Sequence, residues 1–224
     1  MPLEPTSFPN QSPLLSETLL QQLNLLLQKL TAPVEFTCIL AQDDKSQEMA
    51  AFINHLVSLS PKLSCRFLAC GEVPELDSAM DRSLLPATGI AQPGMVPRMI
   101  FHGIPGGKEI NAFASAILTA GAAVKPLDKP TMKDIGKIRK PMVIQVCVSL
   151  GCQHCSQLVG NAQRIAWENP LVTAHMIDAN LYPELVKTYN IQRVPLTVVN
   201  TSESFSGGKT MAELTTQSGQ VRHR

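Results

Sequence analysis

A pattern that returns at a fixed distance restricts a chain more than any local propensity, because every copy has to fold to the same shape. Ser60-Pro61 and Asn169-Pro170, Pro86 and Pro195, and Cys38 and Cys147 each lie 109 positions apart. Gly106-Gly107-Lys108 returns as Gly207-Gly208-Lys209, 101 positions on, which makes the closing part of the second copy shorter by eight residues. Four landmarks on one register argue for a tandem repeat of one fold, joined by the small-residue and proline stretch Gly121 to Pro130.

Hydrophobic spacing gives both copies the same order of elements. In the first copy a leucine-rich helix capped by Ser16 leads to a strand at Val34 to Ala41, a helix at Ser46 to Leu59 and a strand at Leu63 to Ala69. A weak helical turn near Asp77 to Arg82, then Pro86, a hairpin turning at Pro93-Gly94 and ending at His102, and a helix from Ile110 to Thr119 complete it. In the second, Thr131-Met132-Lys133-Asp134 has capping-box form, and strands at Met142 to Val148 and Leu171 to Ile177 alternate with helices at Cys155 to Trp167 and Leu181 to Tyr189. Parallel strands joined by a crossover helix, followed by an antiparallel hairpin, are the thioredoxin order. The expected fold is α/β, two tandem thioredoxin-like folds with helices on both faces. The expected boundaries are a loose segment at 1–13, a first copy at 14–121, a second at 122–214 and a disordered polar tail at 215–224.

The chemistry lies in Ser149-Leu150-Gly151-Cys152-Gln153-His154-Cys155, between an apolar strand and a segment of helical spacing. Cysteines at i and i+3 can close a small disulfide ring with little backbone cost. At a helix N-terminus the unpaired N–H groups and the positive dipole end favour a thiolate, the attacking species, at Cys152. Cys155 is then the resolving thiol, and His154, when cationic, adds to the stabilisation of the thiolate. Val194-Pro195 is a candidate cis-proline, which in this fold abuts the dithiol and offers backbone groups to a substrate chain. At the equivalent place the first copy has Asp43-Asp44-Lys45-Ser46, so it keeps the fold and lacks the chemistry.

Each feature has a plainer alternative. The pair could be half a zinc site, but that needs two more ligands at compatible spacing, and Cys65 of the Cys65/Cys70 pair falls within a strand. Cys38, Cys65 and Cys147 read as small buried hydrophobes. His154 could be an ordinary turn residue. His55, His102 and His175 lack partners at ligand spacing and read as structural or solvent-facing, Asp178 as a helix cap, and Trp167 as packing.

A net charge of +1 gives no reason to expect a nucleic-acid partner. The first thirty residues carry a single basic residue, Lys29, and no apolar segment reaches membrane-spanning length, so neither a secretory signal nor a membrane is expected. Six cysteines scattered around one close pair suit a reducing compartment, with the cytoplasm as the expected location.

The chain resembles the tandem-thioredoxin N-terminal domain of AhpF, the flavoprotein of the alkyl hydroperoxide reductase system, over roughly Leu19 to Leu214. The carriers are the degenerate first copy with Asp43-Asp44-Lys45-Ser46, Gly103-Ile104-Pro105-Gly106-Gly107-Lys108-Glu109, the Cys152–Cys155 stretch and Val194-Pro195. In the family a histidine usually follows the first cysteine directly; here Gln153 does, and His154 comes next. The resemblance implies a redox-active Cys152–Cys155 disulfide that takes electrons from a flavin-linked dithiol and passes them to a peroxiredoxin. It also implies that Glu109 reaches the edge of the dithiol and takes the resolving thiol's proton; a solvated glutamate at the start of the Ile110 helix is the alternative. The family's flavoprotein continues into FAD and pyridine-nucleotide domains, whereas this chain ends at Arg224 and has no strand-bound G-x-G-x-x-G. The expected donor is therefore a separate flavoprotein disulfide reductase, with no cofactor bound here. A binding adaptor with a vestigial dithiol is the second reading, and a disulfide-forming or isomerising protein the third, disfavoured by the lack of an export signal and of a second CxxC.

Overall fold

The computed structural model describes residues 8–218. The first copy comprises α1 (Glu17–Leu27), β1 (Val34–Leu40), α2 (Asp44–Val57), β2 (Leu63–Ala69), α3 (Pro74–Ala79), β3 (Ala87–Ala91), β4 (Met99–His102) and α4 (Ile110–Gly121). The second comprises α5 (Lys129–Ile135), β5 (Met142–Val148), α6 (Cys155–Glu168), β6 (Val172–Asp178), α7 (Pro183–Thr188), β7 (Leu196–Val199), β8 (Glu203–Ser206) and α8 (Met211–Ser218). Both are the expected α/β thioredoxin arrangement, with β1/β2 and β5/β6 parallel and each hairpin antiparallel. Leu85–Pro86 and Val194–Pro195, the proline landmarks of the repeat, are both cis.

The two copies share one eight-stranded sheet, ordered β2-β1-β3-β4-β6-β5-β7-β8. β4, the edge of the first copy, pairs in parallel with β6, the edge of the second, from Met99↔Ala174 to His102↔Ile177. Two exposed edges are thereby removed, and an unpaired edge is a liability in any sheet. On one face α4 packs against α6, so helices as well as strands cross from copy to copy. The first copy's core centres on Phe113, whose ring lies 5.7 Å from Phe36, 5.9 Å from Phe52 and 5.1 Å from Phe101.

Several expectations are corrected. His102 and His175 are neither solvent-facing nor without partners: they are buried at the β4–β6 seam and bonded to each other, His102 Nε2 to His175 Nδ1, at 2.9 Å. The Leu84 carbonyl can only accept, so His102 Nδ1 carries the proton in its 2.6 Å contact with that oxygen. Burial lowers the His102 pKa to about 4. With that ring neutral, its Nε2 accepts from His175 Nδ1–H, and both tautomers are set. Thr131 does not open α5; Asp128 does, its carboxylate accepting from Thr131 N–H (2.9 Å) and Oγ1–H (2.8 Å), because it is the residue that stands outside the helix. Residues 8–13, expected to be loose, are docked: Phe8 packs against Phe67, ring centres 5.0 Å apart, and Ser12 N–H donates to His55 Nδ1 at 3.2 Å. The last helix runs to Ser218 rather than stopping at Leu214; residues 219–224 of the expected tail lie outside the described residues.

The closing loops differ in a way the repeated glycines hide. Gly207 N–H donates to the Pro195 carbonyl at 3.0 Å, and the bond equivalent to it is made by Gly103 to Pro86, also at 3.0 Å. Both glycines have left-handed backbone, φ +85° at Gly103 and +88° at Gly207. Strand end thus matches strand end at Gly103, not at Gly106, and the first copy carries Ile104-Pro105-Gly106 as extra residues between its strand and its helix.

Candidate active site

Helix starts at equivalent places are finished in opposite ways. In the first copy Asp43 caps α2 by accepting from Ser46 N–H (2.7 Å), while Ser46 Oγ accepts from Ala41 N–H (2.9 Å). The orphan donors of that helix end are used up. No side chain caps α6, whose cap position is His154. The uncapped N–H groups and the dipole end are left for the sulfur chemistry beside them.

Cys152 and Cys155 form a disulfide, with Cα atoms 5.6 Å apart. Cys155 is the first residue of α6 and fully buried, while Cys152 is half-buried in the turn before it. The spacing predicts Cys155 one turn into the helix; the helix starts later because Cys152 N–H closes a turn onto the Ser149 carbonyl at 3.0 Å. His154 is exposed between the two.

Glu109 is not the solvated glutamate of the alternative reading. It ends a short 3-10 turn, Gly107–Glu109, that packs against α6, and it is 0% exposed. Neither carboxylate oxygen has a hydrogen-bond partner among the described residues. Burial, reinforced by the Asp178 carboxylate, raises its pKa to about 7. Asp178 is itself buried at the end of β6 and accepts from Asn180 N–H at 3.1 Å, the capping role expected of it, though on a 3-10 turn. Pro195 begins β7's approach to the sheet, and its carbonyl is engaged by Gly207 N–H.

The remaining cysteines lack the site's character. Burial pushes the thiols of Cys38 and Cys147 up to about 12 and that of Cys65 up to about 11, the last with help from Glu35. Cys38 Sγ lies 3.4 Å from Thr88 Oγ1, and Cys65 Sγ donates to Asn54 Oδ1 at 3.7 Å. Cys70 is exposed. Nor do the glycines at 103–107 fit a dinucleotide. A Cβ on Gly107 would fall 2.4 Å from the Leu150 carbonyl oxygen, and one on Gly103 would fall 2.6 Å from Leu181 Cδ1, so protein already fills the space that a pyrophosphate would need.

Sequence reasoning missed Arg98. From the start of β4 its guanidinium donates to the carbonyls of Ala166 (2.9 Å) and Trp167 (3.2 Å), the last turn of α6. A basic residue 69 positions before a helix end leaves no local signal.

Comparison with known proteins agrees with this geometry. The thioredoxin domain family matches residues 142–216. The alkyl hydroperoxide reductase flavoprotein AhpF of Staphylococcus aureus is 28% identical over 208 residues, covering 93% of this chain and 38% of that protein. Its counterpart in Staphylococcus epidermidis is 27% identical over 209 residues. The chain thus spans 38% of the length of these curated relatives. A solved mutant of Enterococcus faecalis AhpF aligns with a TM-score of 0.84 and 32% identity, over 90% of this chain and 98% of that one. The N-terminal domain of the reductase from the same organism gives 0.84 at 31% identity. A protein disulfide oxidoreductase of Aeropyrum pernix has the same fold, with a TM-score of 0.78 at 19% identity. The chain therefore belongs to the thioredoxin-fold disulfide oxidoreductase family represented by the N-terminal domain of the alkyl hydroperoxide reductase AhpF.

Proposed function

We propose that the protein is a thiol–disulfide oxidoreductase that carries electron pairs through Cys152 and Cys155 from a separate flavoprotein disulfide reductase to a disulfide acceptor, a peroxiredoxin. The observation that carries this reading is the half-buried Cys152 sulfur, bonded to a buried partner at the start of an uncapped helix. In the reduced form the Cys152 thiolate attacks one sulfur of the acceptor disulfide. That disulfide breaks, one acceptor sulfur leaves as a thiolate, and a mixed disulfide forms. Cys155 then gives its proton to Glu109 and attacks the Cys152 sulfur, releasing the second acceptor thiolate and closing the Cys152–Cys155 disulfide. The acceptor gains two electrons, and the donor's dithiol restores the pair.

Glu109 suits its role because a base with a pKa of about 7 can both take and return a proton near neutrality. His154, exposed beside the pair, adds positive charge when protonated, and the Val194 peptide before Pro195 is the backbone offered to an acceptor chain. Among the described residues no helix is long and apolar enough to cross a membrane. The proposed setting is the reducing cytoplasm.

The test is reduction of insulin or dithionitrobenzoate by the prereduced protein. Cys152→Ser should abolish turnover, and Cys155→Ser should stop after one mixed disulfide, which traps the acceptor for identification. If wild-type protein reacts with small disulfides no faster than an unactivated thiol of pKa roughly 8.5, the adaptor reading takes its place.

A further inference from the structure

The first copy has lost the dithiol yet grips the helix that carries it. We infer that the turn Gly106–Glu109 is a brace that positions the Cys152 loop, and that the redox equilibrium of the second copy depends on it. Three contacts run from the first copy to α6 and the loop before it. At the helix C-terminus Arg98 holds the carbonyls of Ala166 and Trp167. Midway, Gln163 Nε2–H donates to the Ile100 carbonyl of β4 at 3.1 Å. At the N-terminal side Lys108 N–H donates to the Leu150 carbonyl at 2.9 Å, two residues before Cys152.

The third contact is the tightest. Gly107 has φ +55°, and its Cα lies so close to the Leu150 carbonyl that a Cβ there would fall 2.4 Å from the oxygen and 3.1 Å from the carbon. Only glycine admits both that backbone and that approach. Gly106 beside it faces no such limit: a Cβ there would meet nothing nearer than Leu150 Cδ1 at 3.7 Å. The turn reaches Leu150 by means of the Ile104–Gly106 insertion, which the second copy's own closing loop lacks. Chain length was thus added in the copy without sulfur chemistry, at the point where it touches the copy that has it.

The consequence for the chemistry is directional. A thiolate gains from a helix N-terminus only within the first turn, so moving the Leu150–Cys152 loop outward removes stabilisation from the thiolate, and hence from the reduced state. Gly107 and Lys108 are positioning residues: they act through Leu150 and touch neither sulfur.

This inference rests on the oxidoreductase reading only for its redox readout, and a matched pair of variants separates the two. In the exchange of protein disulfide with two glutathiones, giving dithiol and glutathione disulfide, Gly107→Ala should shift the equilibrium toward the protein disulfide by about threefold to tenfold. It should also raise the Cys152 pKa, read from thiolate absorbance. Gly106→Ala should match wild type in both. If Gly107→Ala stays within twofold of wild type, or if both variants shift alike, the brace is refuted while the oxidoreductase reading stands. If wild-type protein does not exchange with glutathione, that reading fails instead. Hydrogen exchange on the unmodified protein then decides the brace, as it does if Gly107→Ala does not fold. The Lys108 amide should exchange as slowly as the core of α6, and exchange at the rate of an open turn overturns the inference.

Discussion

Replacing Glu109 with glutamine tests whether a lone carboxyl is held without partners inside the fold. Its pKa rises from the ordinary 4.5 to about 7, mainly through burial and then through Asp178. Between pH 4.5 and 7 the native carboxyl keeps a proton that the unfolded chain has released. Wild-type stability therefore falls as pH rises through that window and is level above it. At 1.36 kcal/mol per unit the loss amounts to about 3 kcal/mol. Glutamine keeps the shape and cannot ionise, so Glu109→Gln carries any fixed cost of an unpaired amide at every pH and escapes the pH-dependent part. The assay is thermal unfolding of both oxidised proteins at pH 5 and pH 8. The variant should gain on wild type by roughly 6–12 °C between the two, at roughly 2–4 °C per kcal/mol. A difference between variant and wild type that is the same at both pH values would show that Glu109 is hydrated or paired in solution, and the proton-acceptor role would lose its basis.

Three further outcomes are expected. His102→Leu leaves the Leu84 carbonyl and His175 Nδ1 without this partner at the seam, and should cost about 2–4 kcal/mol in urea unfolding; a loss under about 0.5 kcal/mol would mean that the pair is not buried. Because burial lowers the His102 pKa from 6.5 to about 4, the unfolded chain binds the extra proton as pH falls. Wild type should therefore lose stability from pH 6.5 toward 4 in a way His102→Leu does not, provided both are measured in the Glu109→Gln background. Phe113→Ala, which removes the ring at the centre of the first copy, should cost about 3–5 kcal/mol. Because the sheet is continuous, the fluorescence of Trp167, in the second copy, should report that loss in full; an unmoved Trp167 transition would show that the copies unfold independently.

Much of this protein is readable in order along the chain. Ser16 caps α1 as expected, accepting from Leu19 N–H at 3.4 Å, because capping is decided within a few residues. The strand and helix alternation is visible because an apolar face has a period whatever it packs against. The dithiol is equally plain, since a CxxC at a strand-to-helix junction needs no distant information. The burial of Glu109 does not show: a glutamate in a first helical turn looks the same whether water or α6 lies beside it.

The repeat, the order of elements in each copy, the working cysteines and the two proline positions are written into the residues themselves, because all of them depend on neighbours or on a constant offset. That the copies join through β4 and β6 into one sheet emerges only in three dimensions. The same holds for His102 meeting His175 across 73 positions, Arg98 reaching the end of α6 and Gly107 lying against Leu150. These contacts are made largely by backbone groups, which every residue carries alike, or by polar side chains whose partners lie far along the chain. Neither leaves a period or a motif, and both form only when the chain has closed on itself.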